Sequence, residues 1–149
     1  MESFAAPLEL TVVRQVFAVW SIRIPVSFAE TFVHEKECWH AWDADRSVSL
    51  TSMLVTDRGR PVGARELLRT IPLMTGDRLA TPPGLVGWAV EAPAVEAAHA
   101  SRAVSGVIAT DGRLLLATIT GDDSRWTTAT WLSIRHEAAL GRAGERDGT

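Results

Sequence analysis

The sequence predicts an α+β domain organised around an antiparallel sheet, and three observations carry that prediction. Asp111-Gly112 sits between two apolar runs, the strongest short-range signal for a β-hairpin, with both turn residues expected at positive φ. The run that follows places Leu114, Leu116 and Thr118 on one side and Leu115, Ala117 and Ile119 on the other. Both faces of that strand are largely apolar, so it should be central and covered on both sides. Strand patterns otherwise follow one another through short turns, interrupted by two helix-like segments, 61–71 and 124–139, whose apolar stripes need a sheet to cover.

Taken in order, residues 10–16 form a lead-in or short strand. Over 17–25 the alternation sends Trp20, Ile22 and Ile24 inward and Ser21 and Arg23 outward. Pro25 ends the strand because it has no N–H for a ladder. Residues 31–34 form a short extended piece. Residues 38–43 and 47–56 read as the third and fourth strands, joined by the turn Asp43-Ala44-Asp45-Arg46. Pro61 suits the first position of a helix. Ala64, Leu67, Leu68 and Ile71 then supply the i, i+3, i+4, i+7 stripe, and Pro72 closes it.

Residues 73–83 read as a loop. Residues 85–92 and 95–101 are two further strands leading into the hairpin of 103–110 and 113–120. Beyond Gly121, Asp122 is placed to cap a helix and Asp123 to add charge at its positive end. The Thr, Trp and Ile content of 124–139 favours a strand. The acidic start and the Glu-Ala-Ala continuation favour a helix with Trp126, Thr130, Trp131, Ile134 and Ala138 on one face, and we read it as a helix. Residues 141–149 are a polar tail with nothing to bury, which leaves one domain over 1–140.

Composition narrows function mainly by exclusion. A chain of 149 residues with net charge −3 offers no basic surface for nucleic acid or for an anionic membrane. One cysteine, Cys38, rules out an intrachain disulfide. The opening MESFAAPLELTVV lacks a basic segment before its apolar run, and no stretch reaches the ~18 apolar residues of a membrane helix. A cytoplasmic protein is therefore expected, and the excess of arginine over lysine suits a GC-rich bacterial genome.

The element order carries a resemblance. Ser21-Ile22-Arg23-Ile24-Pro25 ends an early strand, and an Asp-Asp-x-x-Trp helix start leads to Trp131-Leu132-Ser133-Ile134-Arg135. Over residues 17–138 this resembles the PsbP-like superfamily, which includes a photosystem II extrinsic subunit and a Ran-binding nuclear import factor. The resemblance implies an α/β/α sandwich, an antiparallel sheet between helices, and a binding or assembly role without catalysis. It transfers no binding residue to a position in this chain.

The richest chemistry lies in His34-Glu35-Lys36-Glu37-Cys38-Trp39-His40-Ala41-Trp42-Asp43. On a strand Cys38, His40 and Trp42 share one face, and Trp39, Ala41 and Asp43 the other. Cys38 and His40 with His34 or Glu37 are the start of a metal site, but no second Cys/His pair completes it. A Cys38/His40 nucleophile–base pair lacks an orienting third group. Gly84-Leu85-Val86-Gly87 and Gly59-Arg60-Pro61-Val62-Gly63 lack the lysine of a phosphate loop. No catalytic residue, metal or cofactor is assigned on this evidence.

Six tryptophans in a chain without tyrosine point instead to binding. Trp20 and Trp131 suit the core. Trp39 and Trp42 lie on opposite faces of one strand, so one of them is exposed if that strand is uncovered on a side, and exposed aromatics mark interfaces. The expected binding residues are Trp39, His40, Trp42 and Trp88, in a groove beside the proline-rich loop at 81–84. The expected partner is another protein or a second copy of the chain. The alternatives are a small-molecule pocket under the 73–84 loop and a Cys/His enzyme.

Overall fold

Two β-sheets packed face to face make up most of the molecule, with two short α-helices filling gaps in the cover. The computed structural model describes residues 9–72, 74–94 and 101–137. The large sheet has seven strands in the spatial order β3-β4-β5-β11-β10-β9-β8: β3 (Ala29–Val33), β4 (Cys38–Trp42), β5 (Ser47–Leu54), β11 (Arg113–Gly121), β10 (Arg102–Thr110), β9 (Val86–Pro93) and β8 (Asp77–Leu79). Every neighbouring pair is antiparallel. A smaller sheet, ordered β1-β2-β12, combines β1 (Thr11–Val16), β2 (Trp20–Pro25) and β12 (Arg135–His136). A minor hairpin joins β6 (Thr56–Asp57) to β7 (Arg60–Pro61).

The α/β/α sandwich that the resemblance implied is not the architecture. The two helices, α1 (Ala64–Arg69) and α2 (Ser124–Leu132), have six and nine residues, too few to cover a seven-stranded sheet. One face is covered chiefly by the small sheet. Trp20, Ile22 and Ile24 of β2 pack with Ala41, Val48, Leu50, Val104, Ile108, Leu115, Ala117 and Ile119, and α2 adds Trp131. The helix read over 61–71 is shorter because Pro61 pairs with Thr56 in the minor hairpin and Gly63 becomes the N-cap. The C-terminal helix stops at Leu132, and Arg135 and His136 pair with Ser21 and Trp20 instead.

The other face carries α1 at one end only. Leu67 there covers Trp88, Val90, Val107, Ala109 and Leu114. Strand β11 is the middle strand of seven, yet its α1-side cover stops after Leu114: Leu116 is half-buried and Thr118 exposed.

Two turn details also differ from expectation. Gly112 has φ +77° but Asp111 is not left-handed, so the turn is not the double-positive kind. It is held from outside, because Gly112 donates to the Val62 carbonyl at 2.7 Å and the Asp111 carboxylate accepts from Ala64 N–H at 3.2 Å. Asp123, rather than Asp122, caps α2, its carboxylate accepting from Arg125 N–H at 2.9 Å. Most of the strand read over 95–101, and the tail at 141–149, lie outside the described residues.

Candidate functional site

The four residues expected to form one groove are not brought together. Trp39 is buried on the face beneath the small sheet, whereas His40 and Trp42 project from the opposite face. Trp88 lies on β9, with three strands between it and β4, so it is roughly 19 Å away at one strand spacing per step. It belongs to the cluster under α1, where its indole N–H has no partner among the described residues. The loop at 80–82 is tied down, since the Trp131 indole donates to the Ala80 carbonyl at 2.8 Å and Thr81 Oγ1 donates to the Gly87 carbonyl at 3.0 Å.

The open half of the large sheet is nearly free of charge. The register aligns Thr31, His40, Ser49, Thr118 and Ser105 in one row across five strands. Trp42 stands 41% exposed at one end of β4, and Cys38 is half-buried at the other. Cys38 Sγ is 3.2 Å from His40 Nε2 and accepts from Thr51 Oγ1 at 3.4 Å. Among the described residues no carboxylate orients that imidazole, and no group of three His, Cys, Asp or Glu side chains is placed to hold a metal ion.

A better-formed site lies on the covered face, at the mouth between the two sheets. Here a cavity of about 510 Å³ is lined by Phe17, Ala18, Val19, Phe32, His34, Glu37, Ser52 and Arg113. Three local structures build it. After β1 the chain reverses into β2 through Phe17 and Ala18, at φ +53° and +65°, with Val19 N–H donating to the Phe17 carbonyl at 2.7 Å. After β3 a single 3-10 turn, His34–Lys36, ends on Glu37 at φ +44°, whose carbonyl accepts from Ser52 N–H at 3.0 Å. Arg113 enters as the first residue of β11, on the same face as Leu115.

An L-residue with a Cβ pays about 1–2 kcal/mol to occupy the left-handed region. Four non-glycine residues among those described do so, and three of them, Phe17, Ala18 and Glu37, line this cavity. Such strain persists where surrounding structure over-determines it, and it concentrates at binding sites. Replacing Ala18 by glycine should relieve it. Set against the greater freedom glycine has when unfolded, Ala18→Gly should stabilise the fold by about 0.5–1 kcal/mol in urea denaturation. A destabilised variant would show that the turn is not strained.

The cavity wall is aromatic and its rim polar. Phe17 and Phe32 meet with ring centroids 5.4 Å apart, and His34 stands edge-on to Phe32 at 4.4 Å. Arg113 and Glu37 have no ion-pair partner among the described residues, whereas Arg14 has one and Arg46 and Arg102 have two each. Sequence reasoning singled out His34 and Glu37 only as adjuncts to a metal site. Nothing in Phe17, Ala18 or Glu37 signals positive φ, and Arg113 is 76 positions beyond Glu37.

No family model matches this sequence, and no curated protein is detectably similar to it. A solved structure from Bacteroides thetaiotaomicron VPI-5482, determined at 1.50 Å, is similar in fold, with a TM-score of 0.60 and 9% identity. The alignment covers 82% of this chain but 46% of that one, so this chain spans less than half the length of its structural neighbour. At that identity the likeness concerns the fold alone.

Proposed function

We propose that this protein is a non-catalytic binding domain that holds a small amphipathic molecule in the mouth between its two sheets. The observation that carries the reading is the convergence of three left-handed non-glycine residues on one cavity with an aromatic wall and an unspent charge pair at its rim. Pockets of this size and makeup, mostly apolar with a few placed polar groups, are the usual form of small-molecule sites. The test is a thermal-shift screen of ring-bearing acids, amines and alcohols. Wild-type protein should gain about 2–4 °C for each kcal/mol of ligand stabilisation, and Phe32→Ala should lose most of the gain. Phe32 lies on an edge strand and is 36% exposed, so its removal should leave the fold intact. A screen without any shift, or one in which Phe32→Ala responds equally, would overturn the reading.

A second reading, contact with another protein or a second copy of the chain, draws on the open half of the large sheet. There Val33, Trp42 and Met53 are exposed on one face of three adjacent strands. Sedimentation should then show a dimer that Trp42→Ser weakens; a monomer at every concentration would remove self-association.

A further inference from the structure

Resting on the pocket reading above, we propose that the occupant is a small carboxylate with an aromatic or branched apolar body, its carboxylate paired with Arg113. The floor and wall fix the body. Phe17, Val19 and Phe32 present an apolar surface, and the Phe17–Phe32 pair at 5.4 Å leaves ring faces and edges against which a ring or branched chain can pack. A volume of about 510 Å³ lies within the ordinary range of small-molecule sites and accepts one such group.

The rim fixes the head group. Arg113 pairs across strands with Leu54 and Thr110, which anchors its backbone while its side chain remains exposed at the cavity edge. Its guanidinium has no carboxylate of this chain within ion-pairing distance among the described residues, so its forked donors remain available to an anion. Ser52, on the neighbouring strand and the same face, lines the cavity beside it. Glu37, just before β4, lies opposite Ser52 and, beyond it, Leu115, so two strand spacings and two residues of rise place its backbone about 12 Å from that of Arg113. A monoanion seated at Arg113 is held clear of Glu37. An amine would be drawn to Glu37 but repelled by Arg113.

Three probes of matched size separate the possibilities: phenylacetate, 2-phenylethylamine and benzyl alcohol. Each is titrated by calorimetry and by amide chemical shifts against wild type, Arg113→Gln and Glu37→Gln. Both substitutions are at exposed positions, and retained amide spectra verify their folds. Phenylacetate should bind at least about tenfold more tightly than either other probe. Its shifts should centre on Ala18, Phe32, Ser52 and Leu54, and the preference should shrink as salt rises. Arg113→Gln should abolish that preference while leaving benzyl alcohol unchanged, and Glu37→Gln should leave phenylacetate binding intact or stronger. If the amine or the alcohol binds the cavity as tightly as the acid, or Arg113→Gln keeps the full preference, the ligand class is wrong although the pocket stands. If none of the probes moves the cavity amides, pocket and ligand class fall together.

Discussion

Trp131→Ala should cost about 3–5 kcal/mol, a large share of the about 5–15 kcal/mol that holds a typical domain folded. Trp131 is fully buried, near the end of α2, and is packed between the helix and the sheet. Its ring passes over Gly106 of β10 so closely that a Cβ there would lie 2.5 Å from ring atoms Cη2 and Cζ3. Its indole N–H holds the Ala80 carbonyl at 2.8 Å, fastening the 80–85 loop to the core. Truncation therefore removes a large apolar group, opens a cavity and leaves a carbonyl unpaired. Gly106→Ala should cost about 1–3 kcal/mol by overpacking the same contact. In the Trp131→Ala background most of that penalty should disappear, because the ring is gone and only the Ala89 Cβ, 3.1 Å from the added methyl, still crowds it. Urea denaturation of the four proteins measures the cycle; strictly additive effects would mean that the two sites do not touch.

Arg46→Ala is the second large effect, expected at about 1–3 kcal/mol. Its guanidinium bridges Glu9 at 2.6 Å and Asp43 at 2.7 Å, and lies over the rings of Phe28 and Trp126 at 5.2 and 5.0 Å. One side chain thus ties the β4–β5 turn to the strand lead-in and to α2. The Arg46 hydrogen bond outweighs partial burial and holds the Glu9 carboxyl below its usual range. Burial pushes the Asp43 carboxyl up, but hydrogen bonds from Arg46 and from the Asp45 and Arg46 N–H groups prevail and leave it lowered.

Groups whose folded pKa is lowered stabilise the fold above their unfolded value, and that stability is lost as pH falls through the folded value. The two carboxylates therefore withdraw support below about pH 4. His136 behaves likewise at higher pH. Burial against Trp20, at 4.6 Å, lowers its pKa despite the opposing Glu137, so its contribution fades below about pH 6.5. Wild type should lose stability in two steps on acidification, and Arg46→Ala should lack the lower step while keeping the upper one. An unchanged acid limb in the variant would show that the Arg46 bridges are not holding the fold.

Local pattern was legible where one strand's two faces face different surroundings. The alternation in Trp20-Ser21-Ile22-Arg23-Ile24 marks the buried side, and the double-apolar β11 sits at the centre of its sheet. Which sheet a strand joins was not legible. Residues 20–25 have the same period whether they extend the large sheet or cover it, and only tertiary packing decides. The short helices were overextended for a related reason: the 61–71 stripe is genuine, but Pro61 and Gly63 are drawn into a hairpin and a cap. The tryptophans form no common groove because the small sheet buries Trp39, leaving Trp42 on the opposite face, and because Trp88 lies four strand positions away, which the spacing in the chain does not reveal. The cavity was invisible because it needs Phe17, Glu37 and Arg113 together, residues that share neither a motif nor a spacing.

The most direct test of the account is amide chemical-shift mapping of the protein with phenylacetate added to saturation. The account predicts shifts confined to residues 17–19, 32–37, 52–54 and 113, around the mouth between the sheets. Shifts centred on Trp42 and His40, or none at all, would contradict it.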